Sequence, residues 1–362
     1  MIPSADPKAN YFAHKAEINA AIQRVLDSGH YILGEEVAAF EAEFAGFIGV
    51  AYAVGVANGT DALHLALRAA GIGTSDEVIT VSHTAVATVA AIEQSGATPV
   101  LVDIDSQSFT LNPDCLPSAI TSRTKAIVPV HLYGHPASMS AIMEIAKKHE
   151  LVVIEDCAQA HGAAIQGRKV GAWGHAAAFS FYPTKNLGAF GDGGAIVTND
   201  KTHADRIREL RQYGWRKRHV SERPGTNSRL DELQAAVLRV KLHHLEAENQ
   251  QRRILAAAYN DGLRRTPLKL PLVAEDCVHV YHQYVVRSGQ RDKLRELLEK
   301  QGVGTQIHYP TPIHQQPAYR HLRTVCPVTI AIVGEILSLP MYAQLSTQEV
   351  DRICNLIVAQ QG

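Results

Sequence analysis

The stretch Ala178-Phe-Ser-Phe-Tyr-Pro-Thr-Lys185 places a lysine just beyond an apolar run that Pro183 stops. Gly188, Gly191, Gly193 and Gly194 follow and lead into a second apolar run, Ala195 to Thr198. An ammonium held between two buried strands is costly unless a partner or a reaction uses it. A solvated turn lysine ahead of an Asp192-Gly193 hairpin leaves the same local pattern, so Lys185 alone decides nothing. Its companions add more. Val152-Val-Ile-Glu-Asp156 ends an apolar run on a carboxylate, which needs a cationic partner if it is to stay ionised there. An aspartate that only opens a helix at Ala158-Gln-Ala is the competing reading. Farther upstream, Tyr52 to Val56 runs into Ala57-Asn58-Gly59-Thr60-Asp61 and then into a helical pattern from Ala62 to Ala70. A strand, a glycine turn and a helix N-terminus converge free N–H groups on one point and suit an anion, with the Thr60 hydroxyl added. Asn58 or Thr60 acting as a plain N-cap is the commoner use of such a sequence.

A lysine, a strand-end aspartate and a phosphate-binding turn are the parts a pyridoxal phosphate site needs. The aspartate would pair with a protonated pyridine nitrogen and keep the ring cationic, so that it can absorb a carbanion's electrons.

The elements that must carry these residues alternate along the chain. Two amphipathic helices are expected near 14–28 and 34–48, with Gly29 and Gly49 as their C-terminal breakers. Strands are expected at Glu77–Val81, Pro99–Ile104, Ala126–Val130 and Leu151–Ile154, with helices at about 85–95 and 138–149 between them. Most of these strands are near-continuous apolar runs, as strands covered on both faces must be. Such alternation predicts an α/β fold, a mostly parallel sheet wrapped by helices, with its site at the strands' carboxyl ends. His83, Asp156, Gln159, Ser180 and Lys185 all follow strands in this way. A helix to about Tyr213 comes next, then a basic turn at Arg216, Lys217, Arg218 and His219, then a long helix from Leu230 to about Gly262. Beyond Pro267 and Pro271, Val278–Arg287, a helix at 291–301, Val303–His308 and a last helix at 347–360 read as a smaller α/β domain. The expected division is residues 1–245 and 246–362.

Composition removes several classes of function. The chain has 362 residues, 46% hydrophobic content and a formal net charge of −1. That is ample material for two cores and carries no electrostatic footprint for nucleic acid or a membrane surface. The five cysteines are scattered, without a CxxC pair, which points to a reducing, cytoplasmic setting. No apolar run approaches about 20 residues and no signal-peptide core opens the chain. Among the 18 histidines there is no HExxH. His243 and His244 are neighbours on a helix and cannot share one ion as i, i+4 ligands do, so no metal site is expected.

Taken together, six motifs resemble the DegT/DnrJ/StrS family of pyridoxal-phosphate sugar aminotransferases. They are Asn58-Gly-Thr-Asp-Ala-Leu63, Glu155-Asp-Cys-Ala-Gln-Ala-His161, Phe181-Tyr-Pro-Thr-Lys-Asn186, Gly191-Asp-Gly-Gly194, Asn227-Ser-Arg-Leu-Asp-Glu-Leu-Gln-Ala-Ala236 and Ile307-His-Tyr-Pro310. The resemblance implies the aspartate aminotransferase fold: a large seven-stranded α/β/α domain, a small C-terminal domain, and a homodimer with sites at the interface. It implies that Lys185 carries the cofactor as a Schiff base and then shuttles the proton. By the same likeness Asp156 pairs with the pyridine nitrogen and Gln159 reaches the ring hydroxyl. Gly59, Thr60 and Ser180 hold the phosphate, with Asn227 arriving from the other subunit. Where many members place a Thr-Phe or Thr-Trp pair to stack on the ring, this chain has Thr84-Ala85, which leaves His83 as the candidate.

The run Ser82-His-Thr-Ala-Val-Ala-Thr-Val-Ala-Ala91, with Ile307 to His314, is similar to the branch that aminates C3 of dTDP-linked 3-keto-6-deoxyhexoses for deoxyaminosugars of O-antigen, S-layer or antibiotic type. The implied partners are L-glutamate, 2-oxoglutarate and the keto sugar. Arg216, Arg218, Arg229, His308 and Tyr309 are candidates for the donor's carboxylate and the sugar nucleotide; solvated surface cations are the other reading of the arginines. A 4-keto or UDP-sugar substrate, and a non-catalytic regulator that binds cofactor or nucleotide sugar, are the alternatives.

Overall fold

The computed structural model describes residues 1–359. Seven strands form the central sheet: β1 Tyr52–Val56, β2 Glu77–Val81, β3 Thr98–Val102, β4 Thr124–Ile127, β5 Val152–Asp156, β6 Ala176–Ser180 and β7 Gly194–Thr198. Their spatial order is β1-β7-β6-β5-β4-β2-β3. Every neighbouring pair from β6 to β3 is parallel, whereas β7 runs antiparallel to both β6 and β1. The expected mostly parallel sheet is therefore present, and β7 is the hairpin return from the lysine turn.

Period-2 alternation splits the strand side chains between two cores. Val54 and Val56 of β1, Ala176 and Ala178 of β6 and Ile196 of β7 face one side. There they meet α4 (Gly59–Ala69), α5 (Val86–Gln94) and α7 (Lys201–Leu210), which contribute Leu63, Ala66, Ile92 and Ile207. Ala53, Ala177, Phe179 and Val197 face the other side. Phe40 and Phe44 of α3 (Glu35–Ile48) cover them together with Ala235, Leu238 and Leu245 of the long helix α8 (Glu232–Leu263). Phe44 meets Phe179 and Phe181 edge-on at 5.0 and 5.4 Å, a favourable aromatic geometry. The two large helices are also joined end to side. The Glu232 carboxylate accepts from the backbone N–H groups of Gly34, Glu36 and Val37 at 2.8–2.9 Å and so caps α3 across nearly 200 residues of chain. The α1 (Pro7–Ala13), α2 (Lys15–Ser28) and α6 (Met139–Lys148) helices complete this body.

The second half of α8 belongs to a different core. Leu255, Ala256, Tyr259 and Leu263 pack with α9 (Arg291–Lys300), with the antiparallel pair β8 (Tyr284–Arg287) and β9 (Ile336–Leu339), and with the closing helix α11 (Thr347–Ala359). Ile2 joins the same core through a backbone bridge to Val303, so the N-terminal segment is tied to the C-terminal part. Several details differ from the expected elements: α1 precedes the two expected helices, and the strands expected at Pro99–Ile104 and Ala126–Val130 run over Thr98–Val102 and Thr124–Ile127. Val278–Arg287 is not one strand: Cys277–Val278 pairs with Ala164–Ile165, and β8 begins only at Tyr284. Val303–His308 is an irregular connection held by isolated bridges at Val303 and Gln306. The helix Pro327–Val333 (α10) and strand β9 lack a distinctive pattern of their own in the sequence.

Candidate active site

Register brings the functional segments together. In the antiparallel β6-β7-β1 ribbon, Ser180 lies opposite Gly194, and Gly194 lies opposite Val56. The chain leaving β1 therefore starts α4 beside the end of β6. A Cβ built on Gly59 would stand 2.6 Å from the Cβ of Ser180, so only glycine permits this approach. Asn58 caps α4 by accepting from the Asp61 N–H at 2.8 Å. That leaves the N–H groups of Gly59 and Thr60, at the first turn, without acceptors inside the helix. These donors, the helix dipole and the Ser180 hydroxyl share one corner, which is the donor set a phosphate requires.

Beyond Ser180 the chain turns sharply. Lys185 donates its backbone N–H to the Tyr182 carbonyl at 2.8 Å, and Ala189 donates to Phe181 at 2.8 Å. The buried Lys241 of α8 pins the far side of this turn through Gly188 O at 2.7 Å. Asn186 donates to Asn249 Oδ1 at 2.9 Å and to Val280 O at 3.0 Å, anchoring the residue beside the lysine. Burial pulls the Lys185 ammonium down to about 8, against the opposing pull of the Asp156 carboxylate. A narrow cleft opens beside Lys185, lined by Asp6, Asn10, Asn186, Lys241, Glu248 and Arg252.

Asp156 closes β5 at the centre of the sheet. Its backbone is fixed by Asp156 N–H to Pro129 O at 2.9 Å and by His131 N–H to its own carbonyl at 3.0 Å. Its carboxylate accepts from Thr88 Oγ1 at 2.8 Å and from the Ala158 N–H at 3.1 Å. Burial pushes the carboxyl up from its ordinary value; the Ala158 N–H, the Thr88 hydroxyl, Lys185 and His131 act the other way. A raised proton affinity in a nearly dry site suits a carboxylate that must hold a protonated ring nitrogen. Thr88 is in turn held by Thr84 at 2.8 Å. The preceding residue, Glu155, is structural: its carboxylate receives the N–H groups of Gly171, Trp173 and Gly174 at 2.7–2.8 Å and contacts His131 at 3.0 Å.

His83, Gln159, His308 and Tyr309 meet around one tyrosine that sequence reasoning missed. Tyr133 bonds His83 Nε2 at 2.7 Å, donates its hydroxyl to the His308 carbonyl, and gives its N–H to Gln159 Oε1 at 2.7 Å. Gln159 Nε2 in turn donates to the Tyr309 hydroxyl at 3.1 Å. No spacing rule identifies Tyr133; its only local sign is the following glycine in a turn, where Tyr133 takes a φ of 61°. Burial holds the His83 and His308 imidazoles down at about 4, so both are neutral near pH 7. His308 is thus a neutral hydrogen-bonding group beside the lysine rather than a cation for a carboxylate, with Nδ1 2.9 Å from Ser338 Oγ.

The remaining candidates lie elsewhere on the chain. Asn227 is exposed, in a bridge with Gln212. Arg216 and Arg218 are exposed at the hairpin formed by Trp215–Lys217 and Val220–Ser221, and Arg216 pairs with Glu209 and Glu222 at 3.1 and 3.3 Å. Arg229 is half-buried just ahead of α8.

A lysine turn, a strand-end aspartate and an anion corner at the carboxyl edge of such a sheet fit pyridoxal phosphate and mark the class of enzymes that use it. A model of the DegT/DnrJ/EryC1/StrS aminotransferase family matches residues 13–358, and the chain belongs to that family. It is 49% identical over 360 residues to a dTDP-3-amino-3,4,6-trideoxy-α-D-glucose transaminase of Streptomyces venezuelae, covering 98% of this chain and 95% of that protein. It is 48% identical over 358 residues to a dTDP-3-amino-3,6-dideoxy-α-D-galactopyranose transaminase of Aneurinibacillus thermoaerophilus, covering 99% of each. Among solved structures, that of S. venezuelae DesV in complex with a ketimine intermediate superposes with a TM-score of 0.97 at 49% identity, over 99% of this chain and 98% of that one.

Proposed function

We propose that this transaminase moves the amino group of L-glutamate to the C3 ketone of a dTDP-linked 3-keto-6-deoxyhexose, releasing 2-oxoglutarate and the 3-amino sugar. The observation that carries this reading is the near full-length likeness to two transaminases whose sugars both bear the new amine at C3 and are both dTDP-linked. Bound pyridoxal phosphate supplies the electron sink for the Cα carbanion. Lys185 would hold the cofactor aldehyde, and its freed amine would take up and return the substrate's Cα proton, for which its lowered proton affinity suits it. Asp156, oriented by Thr88, keeps the ring nitrogen protonated. Gly59, Thr60 and Ser180 would hold the phosphate, with Gln159 as the residue for the ring hydroxyl and His83 as the one for the ring face.

The site is shared in a homodimer. Asn227, Arg216 and Arg218 are exposed in the single chain, as groups that serve a second copy must be. Arg229, His308 and Tyr309 complete the substrate side. Tyr182 and Phe190, which flank the lysine turn, are 53% and 39% exposed in the single chain, and Tyr213 is 41% exposed; a partner subunit covers such apolar surface. Among the described residues no helix is long and apolar enough to cross a membrane. The reading places the enzyme in the cytoplasm, where a nucleotide sugar is made.

The test is a panel in which purified holoenzyme meets L-glutamate and 3-keto or 4-keto dTDP- and UDP-sugars, with products read by mass. The dTDP-3-keto sugars gain an amine with the highest kcat/KM. Preference for a 4-keto or a UDP substrate overturns the assignment, and no amine on any sugar with cofactor bound overturns the transamination itself.

A further inference from the structure

Where the start of α2 crosses the middle of α8, four side chains that can ligate a metal ion converge outside the catalytic corner. His14 and His244 stack ring on ring, with centroids 4.0 Å apart and planes 15° from parallel. Glu17, one turn along α2 from His14, lies 3.2 Å from His244 Nε2. Glu248, one turn along α8 from His244, lies 2.9 Å from His14 Nε2. Ligand atoms of His14, Glu17 and His244 all fall within 4.8 Å of one another. Around a tetrahedral ion with bonds near 2.1 Å, ligand atoms stand about 3.4 Å apart, and each imidazole must hold the ion in its own plane, so binding tilts the two rings out of their stack.

The cluster is reachable from solvent. The side chains of His14, Glu17, His244 and Glu248 are 13%, 57%, 31% and 14% exposed. The second three-residue group of this kind behaves differently. His131, Glu155 and Cys157 are fully buried, and the Glu155 carboxylate is already filled by three backbone N–H groups and His131. It has no approach for an ion and no lone pair to spare.

We infer that His14, Glu17 and His244 form a binding site for one borderline divalent transition ion of the zinc, cobalt or nickel class, with Glu248 at its edge. Two imidazoles and a carboxylate suit these ions and not calcium or magnesium, which take oxygen ligands. The site would act as a clamp. Glu248 Oε1 also takes the Asn10 and Gln344 side-chain amides at 2.7 and 2.9 Å. Asp6, Pro7 and Asn10 line the cleft beside Lys185, as Glu248 does. An ion bridging α2 to α8 would therefore hold the segment from Asp6 to His14 in place as one wall of that cleft.

The experiment titrates metal-stripped holoenzyme with Co²⁺ and Zn²⁺. The expected result is one ion per chain, a tetrahedral visible Co²⁺ spectrum that Zn²⁺ displaces, and slower hydrogen exchange over residues 5–17 in the metal-bound form. His244→Ala abolishes the spectrum, and Glu17→Gln weakens binding at least tenfold, while both variants keep the cofactor's imine absorbance and so report their own folding. A Co²⁺ spectrum unchanged in His244→Ala, binding at other histidines only, or no binding in the wild type each overturn the site. None of these outcomes bears on transamination, which the sugar panel tests separately.

Discussion

Lys185 must lose its proton before it can attack an aldehyde, and the site favours that loss by drying the amine more than the Asp156 carboxylate recharges it. With the nitrogen titrating near 8, the rate at which cofactor-free protein forms its yellow imine falls about tenfold for each pH unit below that value and levels above it. Stopped-flow absorbance across pH 6–9.5 reads this directly; a rate still climbing tenfold per unit beyond about pH 9 would mean an ordinary solvated lysine. Lys185→Ala shows no imine absorbance at any pH. The proposed role of Asp156 is at the other end of the ring. In Asp156→Asn the amide cannot keep the ring nitrogen protonated, so kcat drops on the order of 100-fold or more while the imine still forms. Equal kcat in the two proteins would remove Asp156 from the chemistry.

The elements do their work by ending in the right places. Strands β1, β5 and β6 stop at one edge of the sheet, and strand register sets Gly59 against Ser180. In Gly59→Ala the added methyl meets the Ser180 Cβ at 2.6 Å, which forces α4 and β6 apart at the phosphate corner. Its cofactor Kd rises at least tenfold, and the strain also lowers the unfolding midpoint of the cofactor-free protein by a few degrees; equilibrium dialysis and thermal unfolding read the two separately. Much of this layout was legible in the residues. Glu77–Val81 is a strand with the expected ends, and the lysine turn and the Gly59 turn lie where Pro183 and Asn58 put them, because local steric rules govern such punctuation. Val303–His308, read as an element of the smaller domain, pairs only through isolated bridges, since partners distant in sequence, Ile2 and Ser338, decide its pairing. For the same reason Thr88 and Tyr133 escaped notice: each matters only through what it touches, 68 and 175 residues away for Asp156 and His308.

At the scale of the whole molecule, one chain supplies the lysine, the aspartate and the anion corner, whereas Asn227 and the arginines of the basic hairpin face outward. The proposed sharing between two copies predicts a simple mixing result. Lys185→Ala and Asn227→Asp proteins, each inactive alone, recover about a quarter of wild-type activity after co-refolding, because half the dimers are mixed and each mixed dimer has one intact site. No recovery would place Asn227 in its own subunit's site, and an Asn227→Asp protein active by itself would place it outside any site. The family membership and the close likeness in fold rest on the entire chain, but the chemistry rests on one nitrogen. The most direct measurement is borohydride reduction of the yellow holoenzyme followed by peptide mapping. The pyridoxyl mass is expected on Lys185 alone, in the Phe181–Asn186 segment; the label on any other lysine, or on none, would contradict the account.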